Sequence, residues 1–308
     1  MRSQRLFPLL AAWLVAFPAV GRAETLALSK TFVEKVKNLA TIPATLEVDV
    51  HPAKPHTIKR GGDDGDIHMA GRANEIRLPL VAEIVNAKLE PDALKLLTTT
   101  KPGQTVPVTG VWRIWFEHLG KEEQVQGADV EVPSTSNPAH LFELHPLTRF
   151  GSADLATSFV PIQNYQAYDA PTAFGFYEKN EATLQANDTA VLIAAGEGKY
   201  NYVELVAELA GPIVKTQDGG SMVLADVFGT EDGETPLTEA PRRMVFAPGG
   251  ADSPAAHLQG LGKGDRLHLL AIPRVNLAEV SELLKTSHGE EVSVNLPYEM
   301  IVVGVLPD

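Results

Sequence analysis

The sequence predicts a mainly β protein with short helices, built as two tandem five-stranded barrels. Three observations predict it. Apolar and polar residues alternate in short runs along most of the chain, turn-forming residues separate those runs, and helical spacing is confined to three short segments. A length of 308 residues suits two domains of ordinary size.

The first residues belong to neither domain. Arg2 and Arg5 precede an apolar run from Leu6 to Val20, and Gly21-Arg22-Ala23 sets small residues before Glu24. That layout reads as a secretory signal peptide over 1–23. The apolar run is shorter than the roughly 20 residues a membrane span needs. The mature protein is therefore expected to be exported, periplasmic or extracellular, without a membrane span. Leu28, Phe32, Val36 and Leu39 then recur at helical spacing and predict a leading helix over 24–39.

Strand signals take over in 40–150. Thr45–Val50 and Asp66–Met69 alternate, with Gly61-Gly62-Asp63-Asp64-Gly65 as a turn-rich connector between them. Leu78–Val85 is a third strand, and Leu89–Leu97 is a short helix with Pro91 in its first turn. Thr105–Glu117 and Leu141–Thr148 complete the set. Three strands, a helix and two strands is the order of an OB-type barrel. Residues 151–180 are rich in aromatics and poor in Gly and Ser, which predicts a packed linker. In 181–308, strands are expected at Thr183–Ile193, Tyr200–Leu209, Val223–Phe228, Arg243–Phe246, Arg266–Ile272 and Met300–Leu306, with Lys215–Met222 as a hairpin turn leading into Val223. Asn276 and Glu279 form a capping-box spacing before a helix whose apolar face is Leu277, Val280, Leu283 and Leu284. This half predicts a second OB-like domain.

The chain has no cysteine, which excludes disulfides, thiolate metal sites and a cysteine nucleophile. It carries 26 Lys+Arg against 39 Asp+Glu, a net charge of −13. Such a surface disfavours bulk nucleic-acid binding, which rests on basic residues neutralising phosphates. No phosphate loop, zinc-protease helix or nucleophile elbow is present.

Two strings carry candidate chemistry. Asp66 and His68 stand two residues apart, as do Glu143 and His145. On a strand each pair shares one face, while Ile67/Met69 and Phe142/Leu144 share the other. In an OB barrel the third strand lies between the second and fifth, so the pairs would be about 10 Å apart across it. Glu83 on that third strand completes a set of Asp66, His68, Glu83, Glu143 and His145 suited to zinc, manganese or another divalent ion. Two readings of this outward face stay open: a solvated ladder of cross-strand pairs, and a ligand or metal site.

The strings Asp64-Gly65-Asp66-Ile67-His68, Ala82-Glu83-Ile84 and Glu143-Leu144-His145-Pro146, in that order, resemble a group of secreted bacterial proteins without assigned activity. The resemblance covers about residues 60–150 and implies order and spacing. Trp112–His118 matches the aromatic strand ending in histidine found in that group. By alternation His118 falls with Trp112, Ile114 and Phe116, which predicts a histidine at the core edge or in the site. Asp64-Gly65-Asp66, Arg77-Leu78 and Glu83 are also similar to thermonuclease-type OB enzymes, though Ile67-His68 replaces the usual threonine and no second arginine is evident. The sequence thus predicts an exported binding or scaffold protein of open ligand, with a metal-dependent, phosphodiesterase- or nuclease-like hydrolase as the alternative.

Overall fold

The computed structural model describes residues 23–57, 64–120, 123–155, 166–231, 233–251 and 253–307. Residues 1–22 of the expected signal peptide, the Gly61-Gly62-Asp63 part of the connector and residues 156–165 of the linker lie outside the described residues.

Strand β1 (Glu24–Ser29) opens the chain and runs into helix α1 (Lys30–Val36). The leading helix expected over 24–39 is therefore half strand. Ser29 divides the two, because its hydroxyl accepts from the Phe32 N–H at 3.2 Å and caps α1. Next come β2 (Thr41–Val50), β3 (Ile67–Arg72), β4 (Leu80–Ile84), α2 (Pro91–Thr99), β5 (Gln104–His118), the short β6 (Gln124–Val125), β7 (His140–Phe150) and the short β8 (Ala153–Asp154). The linker contributes β9 (Tyr168–Asp169) and α3 (Ala170–Tyr177), with Asp169 capping the helix. The remaining elements are β10 (Glu181–Ala186), β11 (Ala190–Ala195), β12 (Val203–Leu209), β13 (Val214–Lys215), β14 (Ser221–Phe228), β15 (Arg242–Phe246), β16 (Arg266–Val275), α4 (Leu277–Thr286), β17 (Val292–Asn295) and β18 (Tyr298–Val305). The capping box of α4 forms as the sequence predicts, with Asn276 and Glu279 bonding each other's groups.

The protein is mainly β, and it contains a closed five-stranded barrel. In the C-terminal half β12 pairs with β14, β14 with β15, β15 in parallel with β18, β18 with β16, and β16 back with β12. In the N-terminal half β2 pairs with β3, β3 with β4, β4 in parallel with β7, β7 with β5, and β5 with β2. The inner faces are apolar: Ile42, Leu46, Met69, Leu80, Ile114, Phe142 and Leu144 all belong to one buried core. Gly71 permits the closest approach in the first half, since a β-carbon there would collide with the Glu47 carbonyl oxygen.

A third sheet, ordered β17-β10-β11-β1-β6, lies outside both circuits. The single strand expected at Thr183–Ile193 is in fact the hairpin β10–β11, which pairs with β1 rather than with the second barrel. Asn187 makes the turn, its side-chain oxygen accepting from the backbone N–H groups of Thr189 and Ala190.

The two halves meet through a reciprocal contact. Arg113 on β5 stands opposite Glu143 on β7, and Arg274 on β16 stands opposite Glu299 on β18. Arg113 Nε donates to the Pro273 carbonyl at 2.9 Å, and Arg274 donates to the Trp112 carbonyl at 2.9 Å. Each arginine thus bonds the carbonyl that precedes the other. Both side chains are fully buried and each is paired with its own glutamate, which is what a buried guanidinium requires.

Candidate functional site

Strand register brings the sequence-predicted residues together. The β3–β4 ladder sets His68 opposite Glu83, and the parallel β4–β7 ladder aligns Ala82 with Leu144, so Glu83 comes beside His145. Glu83 Oε1 lies 3.5 Å from His68 Nε2, and Glu83 Oε2 lies 2.9 Å from His145 Nδ1. Glu143 Oε2 is 3.4 Å from the same His145 nitrogen, and Asp66 is ion-paired with His68. The five residues form one connected network with Glu83 at its centre.

They do not form one ligand set. Among the described residues, three groups of side chains have donor atoms close enough to hold a metal ion, within 4.8 Å of one another: His56, Asp66 and His68; Glu83, Glu143 and His145; and His118, His140 and Glu143. His56, His140, Asp64, Tyr202 and Asn201 were not singled out by sequence. Their partners lie on other elements, and only the buried Asp64, within the Asp64–His68 string, carried a local signal.

The outward face is not solvated, contrary to the ladder picture. Glu83, Glu143 and His145 are only 4%, 2% and 3% exposed. The cover comes from the second half, where Tyr200 and Tyr202 hold positive φ values of 60° and 46° just before β12. Bulky residues adopt that conformation only when surrounding contacts fix it. Here the Tyr202 hydroxyl donates to Asp64 and contacts His145 Nε2 at 2.7 Å. Asn201 accepts from Arg113 and donates to Glu117 at 2.8 Å.

This hydrogen-bond chain sets the state of His145. With the Tyr202 proton directed at Asp64, the hydroxyl oxygen accepts from His145 Nε2–H. Nδ1 then faces two carboxylate oxygens. Burial opposes charge on the ring, but Glu83 and Glu143 raise the His145 pKa well above its ordinary value, so in the ion-free network Nδ1 also carries a proton. Nδ1 is buried, and neither of its approaches to Glu83 and Glu143 is aligned as an N–H hydrogen bond. The place between the two anions can be taken by that proton or by a metal ion that displaces it. Hydrogen bonds that fix the far nitrogen of an imidazole are the usual support of a metal ligand.

The electrostatics of the ion-free network are consistent with dense pairing. Burial works against charge on Asp66, yet the His68 hydrogen bond and charge outweigh it and lower its pKa to about 2. Burial opposes the charge of His68 as well, but Glu83 and Asp66 push it up to about 10. Burial also opposes ionisation of Glu143, but Arg113 holds that carboxyl well below the usual range. Burial and the neighbouring Asp66 charge push Asp64 well up.

Of the two places alternation leaves for His118, core edge or site, the structure puts it at the site, half-buried. The β5–β7 register shifts between Ile114 and His118, and this places His118 opposite His140. Their rings stack at 4.6 Å and 19° beside Glu143. Arg77, the arginine of the thermonuclease likeness, is exposed and bonds the Gly127 carbonyl. The guanidinium at the network is Arg113, fully engaged by Glu143, Glu117, Asn201 and the Pro273 carbonyl.

The second half offers an internal comparison. When Glu299 is set on Glu143 and Arg274 on Arg113, the pairings place Val245 where Glu83 stands, Ile301 where His145 stands and Met222 where His68 stands. The arginine–glutamate pair recurs, and the donor atoms are replaced by apolar side chains.

No known protein family is matched by the chain, and no curated protein matches it. No helix among the described residues is long and apolar enough to cross a membrane.

Proposed function

We propose that this chain is an exported protein of two tandem OB-like units that binds a divalent zinc- or manganese-type cation where the units meet. Glu83, Glu143 and His145 supply the donors, and Asp66 and His68 flank them. One observation carries the reading: His145 Nδ1, buried and without an aligned hydrogen bond, lies between two carboxylate oxygens at 2.9 and 3.4 Å. Metal–ligand bonds of about 2.0–2.2 Å separate ligand atoms in a tetrahedral shell by about 3.4 Å, so the spacing needs little adjustment. The apolar residues at the matching positions of the second half support a role in binding. A fold that only needed these positions filled would accept Val, Ile and Met at both places.

The OB reading of both units rests on their shared order of pairings, in which the third and fifth strands run parallel. Export rests on the basic, apolar and small-residue layout of 1–23. Burial of the donors and the absence, among the described residues, of a free arginine at the network favour binding over hydrolysis of a polymeric phosphodiester.

Metal content of the purified protein tests the proposal. After stripping with chelator, exposure to Zn²⁺ or Mn²⁺ and dialysis, the native protein should retain bound metal, and the Glu83→Val, His145→Ile variant should retain one equivalent less. Native protein that keeps no metal, or a variant that keeps as much as native, overturns it. Expression with residues 1–23 in a bacterial host should yield periplasmic protein beginning near Glu24. Cytoplasmic protein with Met1 intact would remove the export part.

A further inference from the structure

We propose that the centre is dinuclear, with Glu143 bridging the first cation to a second one held by His118 and His140. The inference deepens the reading above and rests on it. Glu143 turns its two oxygens to different groups. Oε2 faces His145 at 3.4 Å, while Oε1 lies 3.0 Å from His140 Nε2 and 4.0 Å from His118 Nε2. A carboxylate presenting one oxygen to each of two donor sets is the arrangement of a bridging ligand in two-metal sites.

The second donor set is prepared for a cation. His140 is buried, and its Nδ1 lies 2.8 Å from the Pro138 carbonyl oxygen. A carbonyl only accepts, so Nδ1 carries a proton, and Nε2, which hydrogen-bonds Glu143 Oε1 at 3.0 Å, is the nitrogen that a cation displacing that bond would take. The Nδ1 bond is the tautomer-fixing contact expected behind a metal-bound imidazole. His118 stacks on His140 at 4.6 Å with rings nearly parallel; its Nε2 lies 3.1 Å from Glu117 Oε1 and 4.0 Å from the Glu143 oxygen that His140 faces. Two imidazoles and one glutamate are a set that zinc accepts with one position left open. His118 is 31% exposed at its side chain, so the open position would lie on the solvent side. The Glu83 group has no comparable opening, since its three side chains are nearly fully covered. One covered ion and one accessible ion would therefore share Glu143.

The measurement is the ratio of metal to protein after reconstitution with Zn²⁺, read together with the electron paramagnetic resonance of the Co²⁺-loaded protein. Native protein should hold two equivalents. His118→Ala, chosen because this side chain reaches solvent, should hold one, and so should Glu83→Val, His145→Ile. Magnetic coupling through the bridging carboxylate should reduce the integrated Co²⁺ signal per ion in native protein, and each variant should restore it. His118→Gln provides a milder check on folding and should match His118→Ala. One equivalent in native protein, lost in Glu83→Val, His145→Ile and kept in His118→Ala, overturns the second site and leaves the first. Two equivalents unaffected by His118→Ala but reduced by His56→Ala place the second ion elsewhere and overturn it as well. No retained metal in native protein overturns both readings.

Discussion

Replacing Glu83 and His145 by the residues at the matching positions of the second half, Val and Ile, separates a functional network from a structural one. Each single change removes one side of a buried pair. In His145→Ile, Glu83 keeps only the 3.5 Å contact to His68; in Glu83→Val, His145 keeps Tyr202 at 2.7 Å and Glu143 at 3.4 Å. Stripping a buried ion of its partner costs about 3–5 kcal/mol. The contacts that remain bring each single loss to about 2 kcal/mol on that scale.

The double change leaves no charge stranded. Glu143 retains Arg113 at 2.6 Å and His140 at 3.0 Å, His68 retains Asp66, and Tyr202 retains Asp64. Exchanging a buried ion pair for apolar residues of similar volume is often neutral or stabilising, so the double variant should fall within about 1 kcal/mol of native. The cycle then gives a coupling of about 3 kcal/mol, at the top of the range for touching residues. The assay is urea denaturation in chelator, with the native slope retained. A double variant at least as unstable as the sum of the singles would refute the reasoning, because the charged cluster would then be a requirement of the fold.

Stability of the chelated protein should depend on pH in a defined window. Asp66 and Glu117, both held near 2 against ordinary values of 3.8 and 4.5, stabilise above about pH 4.5 and lose that contribution as pH falls through 2. His68, held up to about 10 against 6.5, stabilises fully below pH 6.5 and loses its contribution as pH rises through 10. Thermal melts in chelator should therefore peak between about pH 4.5 and 6.5, and a maximum above pH 8 would contradict the pairing described. Zinc should act in the opposite direction, with a gain in Tm that grows above pH 6.5 as imidazole protons are displaced; a gain that shrinks with pH argues against histidine ligation. Gly71→Ala should destabilise by about 1–3 kcal/mol, since the added methyl meets Glu47 backbone that cannot turn away. A neutral result in urea would show that β2 and β3 are not in this close contact. Asn276→Ala should cost about 1 kcal/mol through loss of the α4 cap, and an unchanged midpoint would discount the capping box.

Much of the first half was legible because its strands have one apolar and one polar face. Ile67 and Met69 against Asp66 and His68, or Phe142 and Leu144 against Glu143 and His145, show the period-two pattern directly. The helix–strand split at Ser29 was not legible, because Leu28, Phe32 and Val36 keep a helical spacing across a boundary that the Ser29 cap creates. Alternation left His118 between core edge and site, and the register shift on β5 that sets it opposite His140 carries no composition signal. Tyr202 and Asn201 were invisible for another reason. They belong to the second half and reach the site through left-handed backbone at aromatic residues, a conformation that sequence propensity argues against.

The largest gap between sequence and structure is the surroundings of the polar face, and it changes what that face implies. An exposed ladder of acids and histidines costs little, because water solvates each group. The same groups at 2–4% exposure lose that solvation, and every charge must be balanced by a neighbour. Around Arg113 and Glu143 the balance is structural, since Arg274 and Glu299 reproduce it with the same reciprocal carbonyl contacts. Around Glu83 it is not reproduced, because Val245, Ile301 and Met222 fill the matching positions without any charge. The fold therefore has a cheaper way to pack these positions and uses it once. What distinguishes the first half is a set of buried acid and imidazole donors close enough to hold a metal ion, and the binding proposed above would give that costly arrangement a use.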